Sequence, residues 1–203
     1  MDVRRFFESI DHGVLLRSIR RVVQGPRVLR FIDTIVGSPT PGLAAGKGLP
    51  IGNLTSQHFA NFYLTGLDWY ILRTIRPRGY VRYMDDLLLV DDDRSLLKGA
   101  LRQIDAFLGQ RLHLRLKERA TLLADTKEGA PFLGFHVYPR LLRLRRTKVR
   151  RFVRLTRRRL RAYESGRIDA VALQQFLAAA VAHVRVPGTR ALRRRVLGDL
   201  GLL

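Results

Sequence analysis

No cysteine occurs among the 203 residues. That excludes a disulfide framework, a thiolate zinc site and a cysteine nucleophile. Long apolar runs are missing too, and none approaches the roughly 18 residues that a membrane span needs. Met1-Asp2-Val3-Arg4-Arg5 is not followed by the apolar core of a secretory leader. These absences set the expectation of a soluble, cytoplasmic protein. Negative charge is also scarce: Asp plus Glu number 17 against 38 for Lys plus Arg, a formal net charge of +21. At 46% hydrophobic residues the chain reads as a folding sequence in a strong positive field, not as a disordered basic tail. Such a field attracts polyanions, with nucleic acid the first expectation and an anionic membrane surface the second. Lysine is rare as well, confined to Lys47, Lys98, Lys117, Lys127 and Lys148. The arginine skew suits bidentate phosphate contact, and the codon bias of a GC-rich genome gives the same skew.

What is present divides at about residue 139. Asp2–Phe7 is β-prone. Asp11 is placed to cap a helix whose inward face is Leu15, Ile19, Val22 and Val23, with Gly25-Pro26 as its stop. A second short helix carries Val28, Phe31, Ile32 and Ile35. Gly and Pro crowd residues 37–50, a loop. A long helix is expected from about Leu54 to Ile75, burying Phe59, Tyr63, Leu67, Tyr70 and Ile71. Tyr80–Tyr83 and Leu87–Val90 read as two strands joined by a tight turn. Ala100, Ile104 and Leu108 mark a further helix, Leu112–Leu116 an alternating strand, and Pro131–Tyr138 a strand or hairpin. Between Arg140 and Arg161 stand eleven arginines and Lys148, with no acid. Val149, Phe152, Val153, Leu160 and Tyr163 keep a helical stripe through that run, so it reads as an amphipathic basic helix. Ser165-Gly166 breaks it, and Asp169 is placed to cap the next helix. The expected class is α+β: a mixed lobe over residues 1–139, then a small all-helical basic lobe over 140–203.

The sharpest chemical feature is Asp85-Asp86 at the tip of the hairpin, between apolar strands. Adjacent carboxylates repel each other and resist desolvation. A divalent cation relieves both costs, and Mg²⁺ typically takes one or two carboxylates together with substrate phosphates. The same pair also makes an ordinary polar β-turn, and on spacing alone both readings stand.

Tyr80-Val81-Arg82-Tyr83-Met84-Asp85-Asp86-Leu87-Leu88 resembles the Tyr-x-Asp-Asp hairpin of reverse transcriptases, the third palm motif of that family. Other segments appear in the family's order. Asp2-Val3-Arg4-Arg5-Phe6-Phe7 is similar to the first palm motif, which makes Asp2 a metal-binding carboxylate at a strand end and Phe7 the aromatic residue that excludes a ribose 2′-OH. Gly48-Leu49-Pro50-Ile51-Gly52-Asn53-Leu54-Thr55-Ser56-Gln57 resembles the second, whose loop-to-helix turn, with Gly52, Ser56 and Gln57, lies near template and nucleotide. A glycine-containing loop opening a helix does present backbone N–H groups to phosphates; it is also a common helix start. Lys117 falls where the family has a lysine near the leaving pyrophosphate, and it reads equally as a solvated strand-end lysine. Phe132-Leu133-Gly134-Phe135 resembles the primer grip, through Leu133 and Gly134. The basic helices correspond to the thumb, in which Arg145, Arg146, Lys148, Arg151, Arg154 and Arg158 contact nucleic-acid backbone.

The resemblance implies a polymerase palm, an antiparallel sheet packed on helices, followed by a helical thumb. It implies RNA-directed DNA polymerase activity by two-metal nucleotidyl transfer. By the same resemblance Asp2 and Asp85 would hold two Mg²⁺ ions, or Mn²⁺ in their place, with Asp86 close by as a weaker ligand and Tyr83 and Met84 beside the nucleotide. Partners are an RNA template, an RNA–DNA primer duplex, dNTPs and an accessory protein, in a prokaryotic or phage-encoded setting. Overall the chain resembles the diversity-generating retroelement and group II intron-like type; Ile51 before Gly52, with Ser56-Gln57, departs from the Gln-Gly and Ser-Pro pattern common in group II intron and retron enzymes and looks more like the enzymes of diversity-generating retroelements. With Asp2 as the second residue, the fingers of the family are expected to be missing. A truncated chain of that kind is expected to bind nucleic acid yet to polymerise poorly unless a separate fingers segment completes it. A non-catalytic nucleic-acid-binding remnant of such an enzyme is the alternative. A membrane-surface protein fits less well, because the arginines follow a folded lobe and lack an exposed Trp/Leu face.

Overall fold

The structure is a computed structural model that describes residues 1–39, 42–50, 52–117, 121–184 and 189–198. Pro41 and Ile51, expected as loop and motif residues, lie outside that set, as does the side chain of Val184. The chain is α+β and forms two compact units, Met1–Leu123 and Ala124–Leu203.

In the first unit, Arg5 takes a left-handed conformation (φ 47°) and turns the chain into α1 (Phe6–Ser9), so the β-prone stretch ends at Arg4. Asp11 caps α2 (His12–Ile19) as expected, its carboxylate accepting from the Val14 amide at 3.0 Å. Leu15 and Ile19 are buried, but α2 stops before Val22, which is left 65% exposed. Gly25-Pro26 does not end this helix; it starts the next. Gly25 (φ 111°) makes a turn that L-residues avoid, and Pro26 then fixes the first φ of α3 (Pro26–Val36). The inward face of α3 is Leu29, Ile32 and Val36, while Val28 and Phe31 face solvent.

The long helix expected over 54–75 is three pieces: α4 (Leu54–Tyr63), α5 (Thr65–Tyr70) and a widened π-type turn over Ile71–Ile75. Its inward stripe nevertheless persists, with Tyr63, Leu64, Leu67 and Ile71 buried. Arg76, left-handed at φ 54°, closes the last turn by donating its amide to the Ile71 carbonyl. Strands β1 (Gly79–Tyr83) and β2 (Asp86–Val90) then form an antiparallel hairpin, pairing Tyr83 with Asp86 and Arg82 with Leu87. Asp93 caps α6 (Arg94–Leu112), whose Ala100, Ile104, Leu108 and Leu112 are buried against α5 and the rest of this core.

Residues 1–4 add single antiparallel bridges to this hairpin. Asp2 pairs with Asp86 on one side, and Val3 pairs with Leu116 on the other. Met1 and Leu87 exchange both backbone hydrogen bonds at 2.9 Å, and the Lys117 amide donates to the Asp2 carbonyl at 2.9 Å. Side chains alternate across such a ladder. Met1, Val3, Leu87 and Leu116 therefore pack into the core, while Asp2, Asp86 and Lys117 share the opposite, open face.

The second unit begins with a three-stranded antiparallel sheet in the order β3 (Ala130–Phe132), β4 (Phe135–Tyr138) and β5 (Leu141–Leu144). β5 is a strand where the basic lobe was expected to be all-helical. Its leucines pair with β4, a pattern hidden in the sequence by the arginines around them. The sheet also belongs with the basic helices rather than with residues before 123, because the Arg145 amide donates to the Gly134 carbonyl at 3.2 Å. Helices α7 (Arg146–Glu164), α8 (Ala170–Val184) and α9 (Arg190–Gly198) complete the unit around Phe152 and Val196. Asp169 accepts from the Ala172 amide at 2.7 Å, the expected cap of α8. Among the described residues no helix is long and apolar enough to cross a membrane.

Candidate functional site

The open face of the first unit carries a row of side chains running across four chain segments. Tyr83 pairs with Asp86, Asp86 with Asp2, and Asp2 lies beside Lys117. Three segments distant in sequence thus deliver two acids and a lysine to one line, and the β1–β2 turn adds Asp85 at its end. Met84, in the same turn, has φ 54°, the left-handed conformation that a two-residue hairpin imposes on its first residue. Tyr83 is 60% exposed beside the carboxylates.

The register makes the electrostatics of this row unfavourable. Asp2 and Asp86 are direct cross-strand neighbours, and like charges so placed destabilise a sheet. Burial raises the proton affinity of Asp85 above the ordinary carboxylate range, and the charges of Asp2 and Asp86, with a hydrogen bond to Asp2, raise it further. Asp86 shifts the same way, first through desolvation and then through Asp2, with partial relief from the Met1 ammonium and Lys117. Lys117 Nζ donates to Asp2 Oδ2 at 3.2 Å. Among the described residues it is the one side chain that forms an ion pair with these acids.

As a donor set, three hard carboxylate oxygens under mutual repulsion suit Mg²⁺ or Mn²⁺. The side chains do not, however, converge into a formed cage: among the described residues no group of three His, Cys, Asp or Glu stands ready to hold a metal ion. Asp85 leans on Asp2, and Lys117 occupies one Asp2 oxygen.

The other expected site residues are spread over both units. Phe7 packs partly into the core, edge-on to Phe6 at 5.6 Å between centroids. Gly52 (φ 94°) precedes α4, where Asn53 supplies the cap by accepting from the Thr55 amide. Ser56 is buried on α4 and Gln57 is exposed. Leu133 and Gly134 lie in the second unit as the two residues of the β3–β4 turn, both with positive φ (50° and 79°). Gly134 therefore serves the turn, and it also leaves room for the Lys148 side chain, which a Cβ at this position would meet. Lys148, expected to contact nucleic acid, is engaged within its own unit: its Nζ donates to the Leu133 carbonyl at 3.0 Å and lies 4.8 Å from the centre of the Phe135 ring. Arg145, Arg146, Arg151, Arg154 and Arg158 are exposed. Arg151, Arg154 and Arg158 fall on one face of α7, opposite buried Phe152 and Thr156.

One residue of consequence is not singled out by the motifs. Arg82, whose side chain is only 12% exposed, is the charge on the core face of β1. Its Nε and Nη2 grip the two oxygens of Asp68 on α5, at 2.7 and 2.6 Å. Its Nη1 donates both to Asn61 Oδ1 on α4 and to the Met84 carbonyl in the turn, each at 2.9 Å. Tyr80 Oη also donates to Asp68, at 2.7 Å. The sequence does carry a signal for it: in a period-two strand, Arg82 must share the inward face with Tyr80.

Compared with protein-family models and with curated proteins, the chain matches none. The resemblance to reverse transcriptases therefore rests on the sequence motifs alone.

Proposed function

We propose that the first unit is the metal-binding palm of an RNA-directed DNA polymerase, and that the second unit holds template–primer backbone. The supporting observation is the meeting of Asp2 and Asp86 on one open sheet face, from segments remote in sequence, with Asp85 in the adjoining turn and hydrogen-bonded to Asp2. Stability does not select such a row, because the like charges raise the free energy of the fold.

Asp2 and Asp85 would hold the ions, with Asp86 as a weaker ligand. Bound Mg²⁺ supplies Lewis-acid activation of a primer 3′-OH and neutralises charge on a departing pyrophosphate. In that transfer the 3′-oxygen bonds to the α-phosphorus as the α–β phosphoanhydride breaks. The residues of the chain shape the rest. Lys117, released from Asp2, is the cation beside the leaving phosphates. Tyr83 and the apolar residues Val81 and Leu88 offer a floor next to the acids, and the arginine face of α7 offers sequence-independent phosphate contacts.

The test is primer extension on an RNA template with dNTPs and Mg²⁺, run beside template–primer affinity with and without the ion. Affinity and extension that need the ion, both abolished in Asp85→Asn, support the proposal. The exposed arginine face of α7 also suits a second reading, a nucleic-acid-binding module without catalysis. Salt-sensitive binding that ignores both the ion and Asp85→Asn would establish that reading instead.

A further inference from the structure

We infer that Arg82 is a positioning residue, which sets where the carboxylate turn stands relative to helix α4. The inference rests on the proposed cation-binding role of Asp2, Asp85 and Asp86. Nη1 bridges the Met84 carbonyl in the turn and the Asn61 side chain on α4, while Nε and Nη2 hold Asp68 and Nη2 also reaches the Asn61 carbonyl at 3.4 Å. Asp68 Oδ1 accepts from both Arg82 and Tyr80, so the anchor is itself fixed. The turn carrying Asp85 is thereby joined through one planar group to two helices.

Stability alone is a poor reason for this arrangement. A largely buried ion pair is often no better than apolar side chains of the same volume, and the neighbours of Arg82 on this face, Leu87 and Leu89, belong to the apolar core. What an apolar residue cannot do is hold a carbonyl at the tip of a hairpin. Met84 already has an unfavourable φ, and a turn of that kind persists only where its surroundings determine it. Arg82 supplies that determination through the Met84 carbonyl, immediately before Asp85. Lysine keeps the charge but has no planar fork to reach three acceptors at once.

The probe is Mn²⁺, titrated into the full chain and read by electron paramagnetic resonance. Amide hydrogen exchange is followed in parallel at residues 84–87 and, as a fold control, along α6. Arg82→Lys and Asp68→Asn should each weaken Mn²⁺ binding by about tenfold, the usual effect of removing a group that orients a ligand. Tyr80→Phe, which removes one bond to the anchor, should weaken it less. In all three the turn amides should exchange faster while those of α6 hold. Wild-type Mn²⁺ affinity in folded Arg82→Lys and Asp68→Asn overturns the inference. If Arg82→Lys fails to fold, Asp68→Asn and Tyr80→Phe decide it. If wild type binds no Mn²⁺, or Asp85→Asn binds it equally, the cation-binding reading fails by itself. Exchange then decides: unchanged turn amides overturn the positioning role, and selectively faster ones sustain it.

Discussion

Replacing Asp85 by Asn keeps the shape of the turn tip and removes one negative charge. In the folded chain Asp85 holds its proton more tightly than an ordinary carboxylate, through desolvation first and then through Asp2 and Asp86. Between the ordinary value and the raised one, the folded state binds more protons than the unfolded state. The contribution of this group is therefore full below the ordinary carboxylate pKa and is lost as pH rises through the raised value. The size follows from Coulomb's law. Two unit charges about 5 Å apart, at an effective dielectric of about 20, repel by about 3 kcal/mol. Lys117, 3.2 Å from Asp2, and the solvent above a half-exposed row offset most of this. About 1 kcal/mol remains, within the range found when a functional residue is replaced. Thermal melts in a chelator at neutral pH should thus show Asp85→Asn more stable than wild type, with the gap closing in acid. Added Mg²⁺ should reverse the order. A ligand at a hundred times its Kd stabilises the folded state by about 2.7 kcal/mol, and the variant forfeits most of that gain. A variant less stable than wild type in the chelator, or equal gains from Mg²⁺ in both chains, refutes the reasoning.

Three further outcomes rest on particular side chains. Tyr63 Oη donates to the Leu112 carbonyl at 2.6 Å and accepts from the Asp11 amide at 3.3 Å; Tyr63→Phe strands two backbone groups and should cost about 1–3 kcal/mol in urea unfolding. Gly48 has φ 78°, and a Cβ there would meet the Leu43 side chain and stand 3.2 Å from the Glu8 carbonyl. Gly48→Ala should therefore cost about 1–2 kcal/mol or more by the same assay, and a neutral result would show that the loop over residues 42–50 is not held as described. Converting Arg151, Arg154 and Arg158 to Gln should flatten the plot of log K against log salt for duplex binding by about 0.9 for each phosphate no longer neutralised, whereas an unchanged slope places the nucleic-acid interface elsewhere.

Local chemistry is legible in the sequence where one side chain decides the outcome. Asp11 and Asp169 announce helix starts because a short acceptor precedes an apolar period. Asp85-Asp86 announces a turn because polar residues interrupt two apolar runs, but of the pair only Asp85 lies in that turn, and Asp86 opens β2 opposite Tyr83. Outcomes set by tertiary packing are not legible. Val22 and Phe31 have the period of a buried face, but α2 ends early and α3 turns another side inward. The break at Leu64 leaves the inward stripe intact, so the hydrophobic pattern cannot reveal it. β5 is masked by arginines whose spacing also suits a helix. The acids can each be identified from their motifs, but the row cannot. Its order depends on the register between residues 2, 86 and 117, and register between strands so far apart is invisible to local pattern.

The two faces of the hairpin treat charge in opposite ways, and the contrast separates fold from function. On the core face Arg82 meets Asp68 with its donors engaged on three acceptor groups, so a charge that must be buried is neutralised within the chain. On the open face three carboxylates gather, and among the described residues Lys117 alone forms an ion pair with them. The chain has 38 basic side chains to draw upon for 17 acidic ones. Arginine neutralises acids elsewhere in the same unit, as Arg20 does for Asp33 at 2.8 Å. Leaving this row under-neutralised in so cationic a protein runs against both the net field and the cost of like charges on neighbouring strands. The proposed binding of a cation from outside the chain would resolve that conflict. A further arginine would fill the same role permanently, and in doing so would close the face to any ion or phosphate.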